Sequence, residues 1–429
     1  MRSLMHLRIN NPWVVILAAA SFFFFQFIQI TMFNILKPEL IVELKADPSI
    51  LSFISSLYFY GTVLLLLPAG VILDYISTRK VILVTMSLSL IGLVIFATAN
   101  SIFMAGLGRF LVGVSGGPFC LISSMRLAAR WFPERRLAFV TGVIIALGMF
   151  GGMVAQLPLG VLVAKFGWRT AMYANIGLGV FLLGIMYLFV YDHPWGKGKE
   201  YKQQMAFYHT TGFISGLKRV LLKKQNWNCG LYASLLNLPI LIFGALWGFI
   251  YLVQVFNLPR FEASMACTAL FLGMLIGGPI FGFVSDRILR RKLPMLIGLV
   301  LCFTAMVTLL TAQNLSFGSL ALVLFLVGLG SSAQILAYPT VADSNSPALT
   351  GSALGLTSTL VMAGGAVAQP LIGWLIESRW DGSHMLGMPI FSAANYNRAF
   401  WLMPIAMVLA GILWLFIRET YCKSTEAAS

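Results

Sequence analysis

Gly70-Val-Ile-Leu-Asp74, followed by Arg79-Lys80, returns in the second half of the chain as Gly282-Phe-Val-Ser-Asp286, followed by Arg291-Lys292. Each copy closes a long apolar run, so each marks the end of one element in two related halves. Further pairs keep the same order. Phe33-Asn34 matches Phe256-Asn257, and Phe110-Leu-Val-Gly113 matches Phe325-Leu-Val-Gly328. Gly151-Gly152, Gln156 and Gly160 match Gly364-Gly365, Gln369 and Gly373. One such pair means little; an ordered set is the mark of an internal duplication.

Between these landmarks the chain is built for lipid. Hydrophobic residues make up 59% of the 429 and charged residues only 10%, against roughly 25% charged in soluble domains. A helix needs about 20 apolar residues to cross the hydrocarbon core, and runs near that length recur throughout. Val63 to Leu67 and Leu320 to Val327 lack the alternation of barrel strands, so helices are the solution that pairs every backbone group. The spacing predicts an all-α membrane protein with twelve transmembrane helices in two pseudo-symmetric six-helix bundles. The expected spans are Pro12–Leu36, Ile50–Leu73, Val81–Ala99, Ile102–Met125, Leu137–Phe166, Thr170–Tyr191, Asn228–Phe256, Ala263–Val284, Pro294–Ala312, Ser319–Val341, Gly351–Ile376 and Phe400–Ile417. Residues 1–191 form one bundle, 192–227 a linker and 228–429 the other. Helix 1 is expected to serve as an uncleaved signal anchor.

The formal net charge of +15 fits topology better than nucleic-acid binding. With the N-terminus inside, 21 of the 29 Lys and Arg residues fall in inside segments and seven outside, with Arg109 inside a helix. The seven are Lys37, Lys45, Lys165, Arg169, Arg260, Arg379 and Arg398. The positive-inside rule then puts both termini in the cytoplasm, at the cell inner membrane. The linker segment Gly216 to Lys224 reads as a basic amphipathic helix on the anionic leaflet. Cys120, Cys229, Cys267, Cys302 and Cys422 show no metal or disulfide spacing and read as small core residues. The four histidines fall in loops or termini, and no catalytic constellation, metal site or cofactor motif is visible.

The repeated loop, the Arg109-x-x-x-Gly113 of helix 4 and Gly167-Trp168-Arg169 before helix 6 resemble the major facilitator superfamily over essentially the full chain. The second loop copy matches that family closely; in the first, Tyr75 and Ser77 replace the usual Arg and Gly. The resemblance implies two bundles rocking about a central cavity, consistent with parallel-repeat transporters. It also implies a conformational latch at Asp74, Arg79, Arg126, Asp286, Arg287 and Arg291. The other reading of these charges is plain topogenic signal.

Arg109 is the one cation well inside a span, where charge costs about 2.5–3.5 kcal/mol. It is either an anion contact or a brace on backbone carbonyls. No acid lies in the middle of any expected helix, and the Gly-Pro signature of antiporters is replaced by Leu157-Pro158. Both argue against cationic-drug efflux. Further substrate-contact candidates are Gln26, Gln29, Tyr58, Asn237, Trp247, Tyr251, Gln254, Gln334 and Tyr338, each with helix–helix hydrogen bonding as the alternative. Glycine pairs 113/117, 148/152, 273/277 and 351/355 read as packing surfaces. The expected function is a monomeric secondary transporter that imports a small neutral, zwitterionic or anionic solute such as an amino acid. Proton symport is left open, with Glu39 as the acid to test. Drug or siderophore efflux and a non-transporting sensor are the alternatives.

Overall fold

The computed structural model describes residues 11–44, 46–194, 213–312, 315–345, 349–385 and 388–422. Twelve helices are long and apolar enough to cross a bilayer. They are α1 (Pro12–Thr31), α2 (Pro48–Leu66), α3 (Thr78–Ala97), α4 (Ile102–Trp131), α5 (Val140–Phe166), α6 (Trp168–Phe189), α7 (Lys224–Val255), α8 (Arg260–Ile288), α9 (Lys292–Thr311), α10 (Phe317–Asp343), α11 (Thr350–Glu377) and α12 (Ala393–Phe416). A two-residue hairpin, His384–Met385 with Met388–Pro389, lies between α11 and α12.

Helix starts follow local chemistry. Asn11 caps α1 through its side chain with Pro12 at the first position, and Ser77, Ser101 and Ser316 cap α3, α4 and α10. These side chains satisfy donors that a helix start leaves open. Gly167 takes φ of 80° between α5 and α6, a conformation that favours glycine.

The duplication is visible in the packing. In the first half α2 and α3 lie against α4, and α1 lies against α5; in the second α8 and α9 lie against α10, and α7 lies against α11. Matched glycines explain the close approach. A Cβ at Gly113 would stand 2.1 Å from the Tyr58 carbonyl oxygen, and one at Gly328 1.8 Å from that of Leu270. Small residues are what let helix backbones meet in lipid. Gly117, Gly148, Gly152, Gly273 and Gly277 face crowded neighbours as expected, whereas Gly351 faces open space.

The halves join through α2 with α11 and α5 with α8. The same motif serves both seams. Gly152 packs on Phe271 and Gly160 on Ser264 of the second half; Gly365 packs on Phe59 and Gly373 on Ser52 of the first.

Several boundaries move. The chain beyond α1 stays helical from Phe33 to Leu44, so Lys37 does not lie in an external loop as the charge count assumed. The helix of α2 continues to Tyr75, and α12 begins seven residues before the expected Phe400, at Ala393. Within α7, Ile240–Trp247 is wound as a π-helix. Phe213–Leu222 is helical in the linker, as its amphipathic pattern suggests. Arg2, Arg8, Lys45, Lys197, Lys199, Lys202, His209 and Lys423 lie outside the described residues, as does the side chain of Asp74.

Candidate functional site

The buried polar side chains collect where the halves meet and around α1 and α4. Arg109 of α4 is fully buried. Its guanidinium donates to the Gln29 carbonyl at 2.6 Å and more weakly to that of Ser55 at 3.5 Å. It also lies 4.5 Å from the Phe33 ring centroid and 5.2 Å from that of Tyr58. Its Nε–H has no partner, and no ion pair reaches it among the described residues. The rings offset part of the cost of burying this charge, by roughly 2 kcal/mol when desolvated.

The nearby candidates form one network within the first half. Gln26 donates to Ser89 at 3.0 Å and accepts from the Tyr58 hydroxyl at 3.3 Å. Gln29 exchanges amide hydrogen bonds with Asn175 of α6 at 3.4 and 3.2 Å. In the second half Gln334 donates to Asn237 at 2.6 Å, and Tyr338 accepts from Ser358 at 3.4 Å. Gln254 accepts from the Tyr396 hydroxyl at 2.8 Å and the Phe391 N–H at 3.2 Å. Trp247 and Tyr251 meet Tyr396 edge to face in an aromatic cluster. The structure therefore brings the candidates together as two groups, one per half, rather than one ring.

What joins the groups was not among the candidates. Lys37 is fully buried in the first half, with its ammonium 2.7 Å from the centroid of the Trp247 ring in the second. Its other contact is Ser52 Oγ, at 3.4 Å. Asn34 also crosses: its side chain donates to Gln156 at 2.8 Å and accepts from the Phe249 N–H at 2.9 Å. Ser49 N–H donates to Glu377 at 3.1 Å, and Glu39 pairs with Arg260. These contacts close the seam on the face opposite the chain ends, called here the far face. The matched glutamines converge on the π segment: Gln156 donates to the Gly244 carbonyl at 3.1 Å and Gln369 to that of Leu241 at 2.7 Å. A wide π turn leaves carbonyls badly placed for their own helix, and one glutamine from each half takes one up. Such turns cluster at functional sites.

At the opposite, terminal face the loop copies hold parallel arrangements. Arg291 pairs with Asp286 at 2.7 Å and Asp343 at 3.2 Å. Burial works against the charge of Arg291, but these carboxylates outweigh it and push the guanidinium above its ordinary range. Arg79 donates to the Tyr187 carbonyl at 2.7 Å, and its guanidinium lies 4.9 Å from the Tyr191 ring centroid. The Arg287 guanidinium rests 5.9 Å from the Phe283 ring centroid, and Arg126 is half-buried on α4. Two acids complete the pattern. Asp192, after α6, accepts from the Arg79 N–H at 3.0 Å; Glu419, after α12, accepts from the N–H groups of Arg291 and Lys292 at 2.8 and 3.0 Å. Each anion sits at the N-terminus of the third helix of its half, where it is favourable.

The Major Facilitator Superfamily model matches residues 19–261 and 238–428. The chain belongs to the major facilitator superfamily. A probable galactarate/D-glucarate transporter of Bacillus subtilis is 23% identical over 384 residues, 82% of each chain. A tetracenomycin C resistance and export protein of Streptomyces glaucescens is 22% identical, covering 86% of this chain and 77% of its own. The crystal structure of a D-xylose-proton symporter superposes with a TM-score of 0.74 at 13% identity, over 96% of this chain and 99% of that one. This major facilitator is thus a multi-pass membrane transporter built as two six-helix bundles.

Proposed function

We propose that this chain imports a small carboxylate-bearing metabolite, hydroxylated like a sugar acid, by alternating access across the inner membrane. The observation that carries this is the surplus of buried donors. Arg109 and Lys37 are fully buried cations, and no ion pair to either is found among the described residues. Among the described residues Arg109 Nε and Trp247 Nε1 find no acceptor. Uncompensated intramembrane charge is a functional site by default, and what is missing here is negative. The relative named for galactarate and D-glucarate supports the same class.

Substrate contact is assigned to Arg109, with Gln26, Gln29 and Tyr58 around it and the Asn237, Gln334, Tyr338, Trp247, Tyr251 and Gln254 group opposite. Asp286 and Arg291 act as the latch of the second half at the terminal face, and Asp74, Arg79 and Arg126 serve the first. The charge asymmetry supports cytoplasmic termini. The protein works as a monomer. Proton coupling is assigned to Glu39, whose Oε2 has no partner.

Uptake of labelled D-glucarate into proteoliposomes tests the reading. Saturable uptake that competes with other organic acids, and that Arg109→Gln abolishes, is the expected result. Uptake of amino acids or nucleosides with no response to acids would sink it. An inward proton gradient should accelerate uptake in the native protein but not in Glu39→Gln. Export is the second reading, favoured by the tetracenomycin relative; net solute loss from preloaded, energised vesicles would establish it.

A further inference from the structure

Two donors at the far end of the seam stand side by side without a matching acceptor among the described residues. Lys37 and Trp247 are both fully buried, come from opposite halves and touch each other. Among the described residues the ammonium has one oxygen contact, Ser52 Oγ, and that is long at 3.4 Å. The indole Nε1–H has no acceptor. Glu377 lies near enough to act on the Lys37 charge, yet it makes no ion pair with it, and one of its oxygens takes the Ser49 N–H.

We propose that Lys37 and Trp247 form a carboxylate-receiving site on the far-face side of the seam. Lys37 supplies the charge and the Trp247 indole the second donor. The proposal deepens the organic-anion reading and rests on it. A carboxylate presents two oxygens in one plane, which is the complement of one ammonium and one neighbouring N–H. With the far face closed, the ring occupies the place of the anion and shields the ammonium. When the halves part there, the ring withdraws and both donors face the opening. Ring and carboxylate are therefore alternative partners of one cation. The anion competes with closure when it arrives, and the aromatic contact reforms once the anion has moved on. The duplicated sequence supplies a second cation at the matching position, Arg260, but Glu39 already neutralises it. Lys37 alone of the two is left for a solute.

The test is D-glucarate uptake, with substrate presented at the far face of full-length protein in proteoliposomes. Lys37→Met removes the charge and keeps the bulk; it should raise KM about tenfold or more while kcat stays within about threefold. Lys37→Arg should restore KM to within about threefold. Trp247→Phe keeps a ring but loses the donor, and should raise KM by about threefold. Thermal stability of Lys37→Met at or above that of the native protein shows that the variant folds. A KM for Lys37→Met within twofold of native, in a protein whose uptake Arg109→Gln still abolishes, overturns this site and leaves the anion reading intact. So does a change in kcat alone, which would make Lys37 a closing contact only. If the native protein takes up no organic acid, both readings fall together.

Discussion

Phe33-Asn34-Ile-Leu-Lys37-Pro-Glu39 and Phe256-Asn257-Leu-Pro-Arg260-Phe-Glu262 share Phe, Asn, a cation and Glu at matched places in the two halves, yet they end in different environments. In the first half the helix runs on through Asn34, which is locked by Gln156 and the Phe249 N–H. That continuation carries Lys37 into the seam. In the second half Asn257 turns to φ of 52°, a conformation asparagine tolerates better than most residues, and α7 stops. Arg260 is then released to the rim, where it begins α8 and meets Glu39. The matched asparagines thus take different conformations, and Pro259, where the first half has Leu36, begins a new helix instead of continuing the old one. The cores stay alike while the charges diverge, as Arg109 and its matched residue Leu324 also show.

The comparison makes the packing glycines equivalent, and the largest effects are expected there. Gly113→Val and Gly328→Val each drive a side chain into a backbone carbonyl. Both should cost about 3 kcal/mol or more and remove the monodisperse peak in size-exclusion chromatography. A tolerant Gly328→Val beside a lethal Gly113→Val would break the equivalence. Next comes Asn34→Ala, which strips the bond to Gln156 within the first half and the inter-half bond from the Phe249 N–H, and should cost about 1–3 kcal/mol in a thermal melt. Asn257→Gly should be near neutral, because glycine accepts the same φ. Equal losses at the two asparagines would contradict the asymmetry described.

The two capping acids come third. Asp192→Asn and Glu419→Gln should each lower stability by about 0.3–1 kcal/mol, since Glu419 serves two helix N–H groups and Asp192 one together with the Ser77 hydroxyl. A high-salt melt that leaves both variants unchanged relative to native would argue against a charge effect. The smallest effect belongs to the rim pair. Arg260→Ala should shift stability by no more than about 1 kcal/mol, in contrast to the uptake defect expected of Lys37→Met. A larger uptake loss at Arg260 than at Lys37 would reverse the roles assigned to the two halves.

The twelve spans, the duplication and the packing glycines were legible because they depend on run length and spacing. Burial of Arg109 was legible for the same reason. Lys37 was misread because a lysine followed by proline, at the end of an apolar run, has the pattern of an interfacial residue. Nothing local announces that the helix continues. Its partner Trp247 lies two hundred residues away in sequence by rough count, beyond any periodicity. Asp192 and Glu419 escaped notice for a similar reason: each caps a helix that starts more than a hundred residues before it. The matched glutamines were seen as a pair, but their common target was not, because a π turn has no clear signature in composition.

That π turn has a mechanical consequence. Ile240–Trp247 stores surplus chain in the wall of the carrier, since each wide turn holds more residues than an α turn of the same height. Tightening it would rotate everything beyond Trp247 about the helix axis without stretching a covalent bond. Gln156 and Gln369 hold the coil slack from two sides, one anchored in each bundle. Any motion that parts the bundles must therefore pull on the Gln156 grip while Gln369, in the same bundle as the coil, holds its other side, which gives a rigid-body swing a direct handle on the winding of a single helix.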